Sequence, residues 1–301
     1  MGCKAKIDKY GGGCKTIALI MIKAFKKDED LLKDILYTES DSDKVHIWWL
    51  GQSGYLIQYK GKRILVDPYL SDSLTEKYKN TDKPHVRISE LVIDPSKLPP
   101  IDVITSSHNH TDHLDAKTII PILENSPNCK ILIPEANREF VSNRLEIDSS
   151  TPLGINAGEH YSIDGIQFHA IPSAHNTLEK NSEGQYVYLG YIIQLDDFCI
   201  YHSGDTLHYQ GMEDWIKPFK PVLAFLPING NDPSRKVAGN LNAEEAVMLA
   251  KRCNINVLIP CHYDLFEFNT SDVNEFVEIA NKHGQKYCVL ELGGKFSSDE
   301  I

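Results

Sequence analysis

At 301 residues, with 42% hydrophobic and 24% charged side chains, the chain can build a sizeable core and resembles ordinary globular proteins, which excludes disordered and collagen-like classes. Its 31 Lys+Arg against 42 Asp+Glu leave a net charge of −11, so no uniform positive field draws nucleic acid or anionic lipid, although a local basic patch remains allowed. Seven cysteines, odd in number and without a Cys-x-x-Cys, argue against a disulfide framework or a zinc knuckle and fit a reducing cytoplasm.

The apolar run Thr16–Ile22 is far shorter than the ~20 residues a bilayer requires. Lys23, Lys26 and Lys27 follow it where a signal peptide would carry small residues, so neither a membrane span nor a leader is expected. Met1-Gly2-Cys3 is not followed by the Ser or Thr that an acylation signal wants, because Lys6 stands there. Residues 1–44 read as an N-terminal extension in which Leu31, Leu32, Ile35 and Leu36 recur at helical spacing, predicting one amphipathic helix on the body.

From Val45 the pattern becomes β-type: Val45–Leu50, Tyr55–Tyr59 and Arg63–Val66, the last two joined as a hairpin around Lys60-Gly61-Lys62. A long polar connection from Pro68 to Pro100, of a length that often serves as a lid, leads to the strand Ile101–Thr105. A helix is expected over Asp115–Glu124, broken or kinked at Pro121, and then a buried strand at Ile131–Ile133. Further strands are Ile166–Ile171, Tyr186–Leu195 and Phe198–Tyr201, with Asp196-Asp197 as a tight turn. Val222–Phe225 and Val257–Ile259 bracket a helix capped by Asn242 with Glu245 three residues on, burying Ala243, Val247 and Ala250. A last helix, capped by Ser271 or Asp272 and ended by Gly284, turns Phe276, Ile279 and Ala280 inward before a strand at Tyr287–Leu290. Two strand-rich blocks, each followed by helices, predict a four-layer α/β/β/α sandwich forming one domain over residues 45–301.

The chemistry concentrates after the Ile101–Thr105 strand. His108-Asn109-His110-Thr111-Asp112-His113 puts four metal-ligand types in six residues. In a turning or extended backbone residues two apart project to one side, so His108 and His110 can grip one cation while Asp112 and His113 face a neighbouring position. Three protein ligands per catalytic metal are wanted, and His175, Asp205 and His262 each lie past the end of a predicted strand, where open α/β sheets place ligand sites.

The order HNHTDH, a lone His, His202-Ser203-Gly204-Asp205-Thr206 and a late His resembles the metallo-β-lactamase superfamily of metal-dependent hydrolases. His46–Gly54, His113-Leu114-Asp115, Tyr201–Asp205 and Gly293-Gly294-Lys295-Phe296 resemble the branch containing L-ascorbate-6-phosphate lactonase, over roughly residues 45–297. His175 departs from that branch, which carries an acidic residue there. Leu226-Pro227-Ile228-Asn229-Gly230 is also similar to other members, including the N-acylethanolamine-releasing phospholipase D.

The resemblance implies two divalent ions, zinc or manganese, with iron also compatible. It implies His108, His110 and His175 on one ion, Asp112, His113 and His262 on the other, and Asp205 bridging. It further implies that Asp112 orients the nucleophile and that Asp67, after Ile64–Val66, hydrogen-bonds a ligand histidine. His202 is left open between a supporting donor, a substrate contact and a packed core histidine. Asn229, Asn231, Tyr263 and Asp264 are expected at the rim as substrate contacts. Arg235 and Lys236 are the nearest cations by sequence for a substrate phosphate. One of Trp48 and Trp49 is expected in the core, since consecutive strand residues face opposite sides, and Cys261 is expected to be structural. His46, His85, His160, His169, His208 and His283 are expected to be solvated or structural. The expected activity is hydrolysis of a small ester, lactone or phosphorylated sugar derivative, with a phosphodiesterase or nuclease, iron-based redox chemistry, or a metal-binding protein without turnover as alternatives. The expected partner is a small-molecule substrate, with nucleic acid disfavoured, no membrane, and a homo-oligomer allowed.

Overall fold

The computed structural model describes residues 21–301, so the Met1-Gly2-Cys3 segment and most of the Thr16–Ile22 run lie outside the described residues. A first sheet contains β1 (His46–Gly51), β2 (Gly54–Tyr59), β3 (Lys62–Val66), β4 (Val103–Thr105), β5 (Lys130–Pro134) and β6 (Leu153–Ile155). A second contains β7 (His160–Ile163), β8 (Ile166–Pro172), β9 (Leu189–Leu195), β10 (Phe198–His202), β11 (Leu223–Pro227) and β12 (Val257–Cys261). The chain then returns to the first sheet, where β13 (Lys295–Ser297) pairs antiparallel with β1, His46 opposite Ser297. The two sheets pack face to face, with Tyr55 on β2 stacked on Phe225 on β11 at a centroid distance of 3.8 Å.

The helices are α1 (Asp28–Tyr37), α2 (Ser73–Tyr78), α3 (Ala116–Asn125), α4 (Arg138–Leu145), α5 (Met212–Ile216), α6 (Ala243–Arg252) and α7 (Val273–His283). The two C-terminal helices form where the sequence supplies both a cap and an apolar stripe. Asn242 and Glu245 form a reciprocal capping box on α6, which packs on β11 and α7. Asp272, rather than Ser271, caps α7 by accepting from Asn274 N, and Gly284 ends it at φ 62°. α1 seats Leu31 and Ile35 in the core, whereas Leu36 faces solvent at 44% exposure, so the apolar stripe is narrower than expected.

Several expectations are corrected. Trp48 and Trp49 are both buried, because each face of β1 is covered: Trp48 Nε1 donates to Asp34 on α1, and Trp49 stacks on Tyr263. Pro121 does not break α3. The carbonyl it deprives of a donor belongs to the exposed Lys117, on a turn where water can serve instead. Tyr287–Leu290 is not a strand: Tyr287 makes a single isolated bridge to Leu258, and the C-terminal strand is β13. The strand expected from Tyr186 begins at Leu189. β6, β7 and β13 have no counterpart among the expected strands; each has at most four residues and acquires its order from its neighbours.

Within the second sheet β8, β10, β11 and β12 run in one direction, and in the first β3, β4 and β5 do. The carboxyl ends of parallel strands share one edge of a sheet, and the loops that leave them build the site.

Candidate metal centre

Five strand ends converge. Asp67 follows β3, the His108–His113 segment follows β4, His175 follows β8, Asp205 follows β10, and His262 follows β12. The chain turns sharply there: Asp67 and His262 take left-handed backbone angles (φ 42° and 63°), as does Gln52 (φ 52°) in the β1–β2 turn. Non-glycine residues persist in that region when surrounding contacts over-determine them. Gly204 has φ +59°, and a Cβ there would lie 2.6 Å from Ser107 Cβ and 2.7 Å from the Leu189 carbonyl, so only glycine allows β10 to deliver Asp205 at this depth.

Three groups of side chains each bring their ligand atoms within 4.8 Å of one another: His108, His110 and His175; His108, His113 and Asp205; and Asp112, His113 and His262. Asp205 Oδ2 lies 3.4 Å from His113 Nε2, 3.3 Å from His262 Nε2 and 3.7 Å from His175 Nε2. Asp112 Oδ2 lies 3.7 Å from Nε2 of both His113 and His262. Two atoms bound tetrahedrally at ~2.1 Å to one ion would be about 3.4 Å apart, so these spacings fit shared cations. The buried atoms His108 Nε2, His113 Nε2 and Asp205 Oδ1 have no hydrogen-bond partner among the described residues. Stranding such atoms is costly unless something beyond the protein chain satisfies them.

The opposite faces of the rings are tied down. His113 Nδ1 donates to Asp67 Oδ2 at 2.7 Å, and His175 Nδ1 donates to the Gly239 carbonyl at 3.0 Å. His108 Nδ1 lies 3.0 Å from Ser107 Oγ, which itself donates to Asp67 Oδ2 at 2.5 Å. Those bonds orient the rings so that each Nε2 faces the centre, where a neutral imidazole would present its lone pair. His202 is fully buried against Phe225, away from substrate, and its Nε2 donates to Asp67 Oδ2 at 2.9 Å. Asp67 thus collects Ser107, His113 and His202 around one carboxylate.

Electrostatics match that geometry. Burial, then the neighbouring histidines, push His108 well below the ordinary histidine pKa, and burial lowers His110 and His175, which favours neutral imidazoles. Burial alone would raise Asp205, but His262 and His113 hold it well below the carboxylate range. Burial likewise opposes charge on His113, yet Asp205, Asp112 and Asp67 raise it well above its usual value. A pair of opposite charges is favoured here, and cations would meet the same field.

The centre forms the floor of a cleft of about 840 Å³, into which His110, Asp112, His175, Asp205 and His262 face. The four expected rim contacts are not among its lining residues. Asn229 is buried, bonded to Asn269 and Asn240; Asn231 packs against Gly239 and is otherwise exposed. Tyr263 is buried against Trp49, and Asp264 borders a separate, smaller cavity of about 240 Å³. The left-handed backbone at His262 and Asp264 (φ 63° and 55°) explains the last two: His262 turns to the centre and its successors turn away. Of the two cations, Lys236 lines the cleft, whereas Arg235 is engaged with the Asn229 carbonyl. Cys261 is buried beside Ser53 and belongs to none of the ligand groups.

Sequence reasoning gives no role at the site to Gln52, Ser107 or His85. Gln52 Nε2 lies 2.9 Å from Asp112 Oδ2 and 3.0 Å from His262 Nε2, and its carbonyl accepts from His262 N at 3.1 Å. His85, expected to be solvated or structural, lines the cleft while stacked on Tyr78 at 4.2 Å. A polar residue between two nearby glycines in a strand turn is the available signal for Gln52; nothing local marks His85.

Residues 46–262 match the family described as the Beta-lactamase superfamily domain. A UPF0173 metal-dependent hydrolase of Pyrococcus horikoshii is 30% identical over 237 residues, covering 77% of this chain and 90% of the relative. Among solved structures, the metallo hydrolase Igni18 of Ignicoccus hospitalis superposes with a TM-score of 0.61 at 23% identity, covering 84% of this chain and 98% of its own. An isothiocyanate hydrolase from Delia radicum gut bacteria gives 0.67 at 19% identity, covering 84% and 100%. At these identities the two structural likenesses concern the fold, a mixed α/β arrangement of two sheets with helices.

Proposed function

This chain belongs to the beta-lactamase superfamily and is a metal-dependent hydrolase, and from that premise we propose that it uses two divalent ions to hydrolyse a small ester, lactone or phosphorylated sugar derivative. The observation that carries the reading is the set of buried, unpartnered Nε2 and Oδ1 atoms facing one another across the sheet ends. His108, His110 and His175 would hold one ion and Asp112, His113 and His262 the other. Asp205, whose Oδ2 is near Nε2 of His113, His175 and His262, would offset with its carboxylate the repulsion of two dications. Imidazole with carboxylate suits zinc or manganese, and iron is compatible.

Such ions, when bound, supply Lewis acidity that makes water a competent nucleophile at neutral pH and polarises the electrophile. The chain's own residues do the rest. Asp112, at 16% side-chain exposure, is the carboxylate that both reaches the cleft and accepts a hydrogen bond from Gln52. It orients the attacking water, accepts the proton that water gives up and passes that same proton to the leaving group. Asp67, through His113 and Ser107, holds the rings in register. Five described cysteines are unpaired, which supports a reducing, cytoplasmic setting, and the cleft volume suits a small-molecule partner. No helix among the described residues is long and apolar enough to cross a membrane.

Elemental analysis of natively purified protein, coupled to assays on an ester, a lactone and a phosphodiester before and after chelation, tests this. About two metal equivalents and chelator-sensitive ester or lactone turnover are expected. Turnover confined to the phosphodiester would transfer the site to the phosphodiesterase reading, and bound metal without any turnover would leave a metal-binding protein.

A further inference from the structure

The cleft differs in charge from the molecule that contains it. Apart from the centre's own carboxylates Asp112 and Asp205, its lining carries Lys77, Lys83, Arg144 and Lys236 against Asp82 alone, in a chain of net charge −11. A cationic mouth on an acidic protein focuses anions toward the floor. Most of these cations are exposed or occupied: Lys77 and Lys236 are exposed, and Lys83 Nζ donates to the Arg235 carbonyl.

Arg144, near the end of α4, is different. Its Nη1 donates to the Asn109 carbonyl, inside the His108–His113 segment, at 2.7 Å and to the Leu114 carbonyl, just after it, at 3.1 Å, and its guanidinium lies over the Phe140 ring at 4.3 Å. Among the described residues no carboxylate forms an ion pair with it. Asp115, whose charge reaches it, is already bonded to the hydroxyls of Ser71, Ser73 and Thr118. Nε and Nη2 therefore remain without a partner among the described residues, on a half-buried, oriented guanidinium. Burial pulls its pKa down, the mark of a charge that lacks compensation. A planar fork held by one nitrogen and free at the other two matches a carboxylate or phosphate edge.

We infer that Arg144 is the specificity-determining residue of the cleft, taking the anionic group of a substrate whose scissile bond lies over the metal centre. This inference rests on the hydrolase reading for the reaction it serves, but anion capture by Arg144 is measurable without turnover. The substrate is an ester or lactone that carries a carboxylate or a phosphate remote from the reacting carbon.

The test has a binding arm and a kinetic arm, both on metal-loaded protein. Benzoate, phenylphosphonate and neutral benzamide are titrated calorimetrically into wild type, Arg144→Gln and Arg144→Lys, with metal content measured in each. The expected result is a roughly 10- to 100-fold weaker affinity of Arg144→Gln for one or both anions with benzamide unaffected, and a smaller loss in Arg144→Lys, which keeps the charge without the fork. The anion that suffers more identifies carboxylate or phosphate as the recognised group. In the kinetic arm, the kcat/KM ratio of a 4-nitrophenyl ester ending in that anion over 4-nitrophenyl acetate falls by a similar factor, through KM. Equal loss for benzamide and the anions, or no loss at all, would overturn the inference. Should Arg144→Gln shed metal, Arg144→Lys decides by the same criteria. Anion capture that depends on Arg144 in a protein that hydrolyses neither carboxylic ester nor lactone would sink the proposed ester and lactone reaction and leave the anion site at Arg144 standing.

Discussion

The floor of the cleft and its outer wall are built by different means. The floor is a buried polar network at five strand ends, in which Asp67 alone gathers Ser107, His113 and His202, and three residues hold left-handed backbone angles. The wall is a small apolar cluster apart from the main core. Tyr69, Leu74, Leu265 and Phe266 are buried there, and His85 lies between Tyr78 and an edge-on Phe268 at 4.6 Å. The end of the long Pro68–Pro100 connection is tied to the segment after His262 by Ile88 N to Leu265 O at 2.9 Å and Glu267 N to Val86 O at 3.0 Å. A displaced atom in the floor strands other buried polar atoms, whereas the wall can change its side chains and keep its backbone ladder. On the proposed function chemistry would be separated from selectivity, since one floor could serve different walls.

If that contrast is right, the largest loss comes from the floor's exposed carboxylate. Asp112→Ala is expected to lower kcat by about 10³-fold with far-ultraviolet circular dichroism and thermal midpoint nearly unchanged, since bulk water can reach the vacated space. Activity within about threefold of wild type would remove Asp112 from the reaction. Gly204→Ala attacks the floor's backbone instead. Collision with Ser107 and Leu189 at an adverse φ is expected to cost about 2–3 kcal/mol and to lower metal occupancy, read by urea denaturation and elemental analysis. A neutral Gly204→Ala would mean that the approach of β10 to the ligand segment is looser than its distances imply.

The wall should respond more mildly. Phe268→Ala is expected to raise KM about three- to tenfold while leaving metal content and kcat close to wild type, because it removes cleft surface that touches no ligand. A loss of metal in that variant would erase the division between the two regions.

The smallest effect lies outside both. Asp34 on α1 is partly buried, which disfavours its charge, but bonds to Trp48 and Lys26 and the nearby Lys295 lower its pKa overall. A carboxyl whose folded pKa is depressed stabilises the fold above its unfolded value near 4 and loses that contribution as the pH falls through the folded value. Asp34→Asn is therefore expected to cost about 1 kcal/mol at pH 7 and progressively less below pH ~4, measured as the gap between wild-type and variant urea midpoints. A gap that widens on acidification would reverse the sign assigned to this group.

Legibility followed the range of the interactions. Strands with unbroken apolar runs, such as β11 and β12, and helices with explicit caps, such as α6, announce themselves within a dozen residues. β13 is three residues long and exists because β1 offers it a partner 251 positions away, as His46 faces Ser297. The misplaced rim contacts have the same origin. Tyr263 and Asp264 adjoin a ligand in sequence, but the left-handed turn at His262 sends them to the opposite side.

The amino-acid sequence by itself determined which side chains are available for metal chemistry and that strand ends would present them, because residue type and hydrophobic alternation are local properties. Only the tertiary structure decided that His202 supports Asp67 from 135 positions away, that Gln52 braces Asp112, and that Arg144 stands without an acidic partner among the described residues at the mouth. Those roles depend on which polar atoms are left unpaired once two sheets have closed on each other, and no local pattern encodes that count.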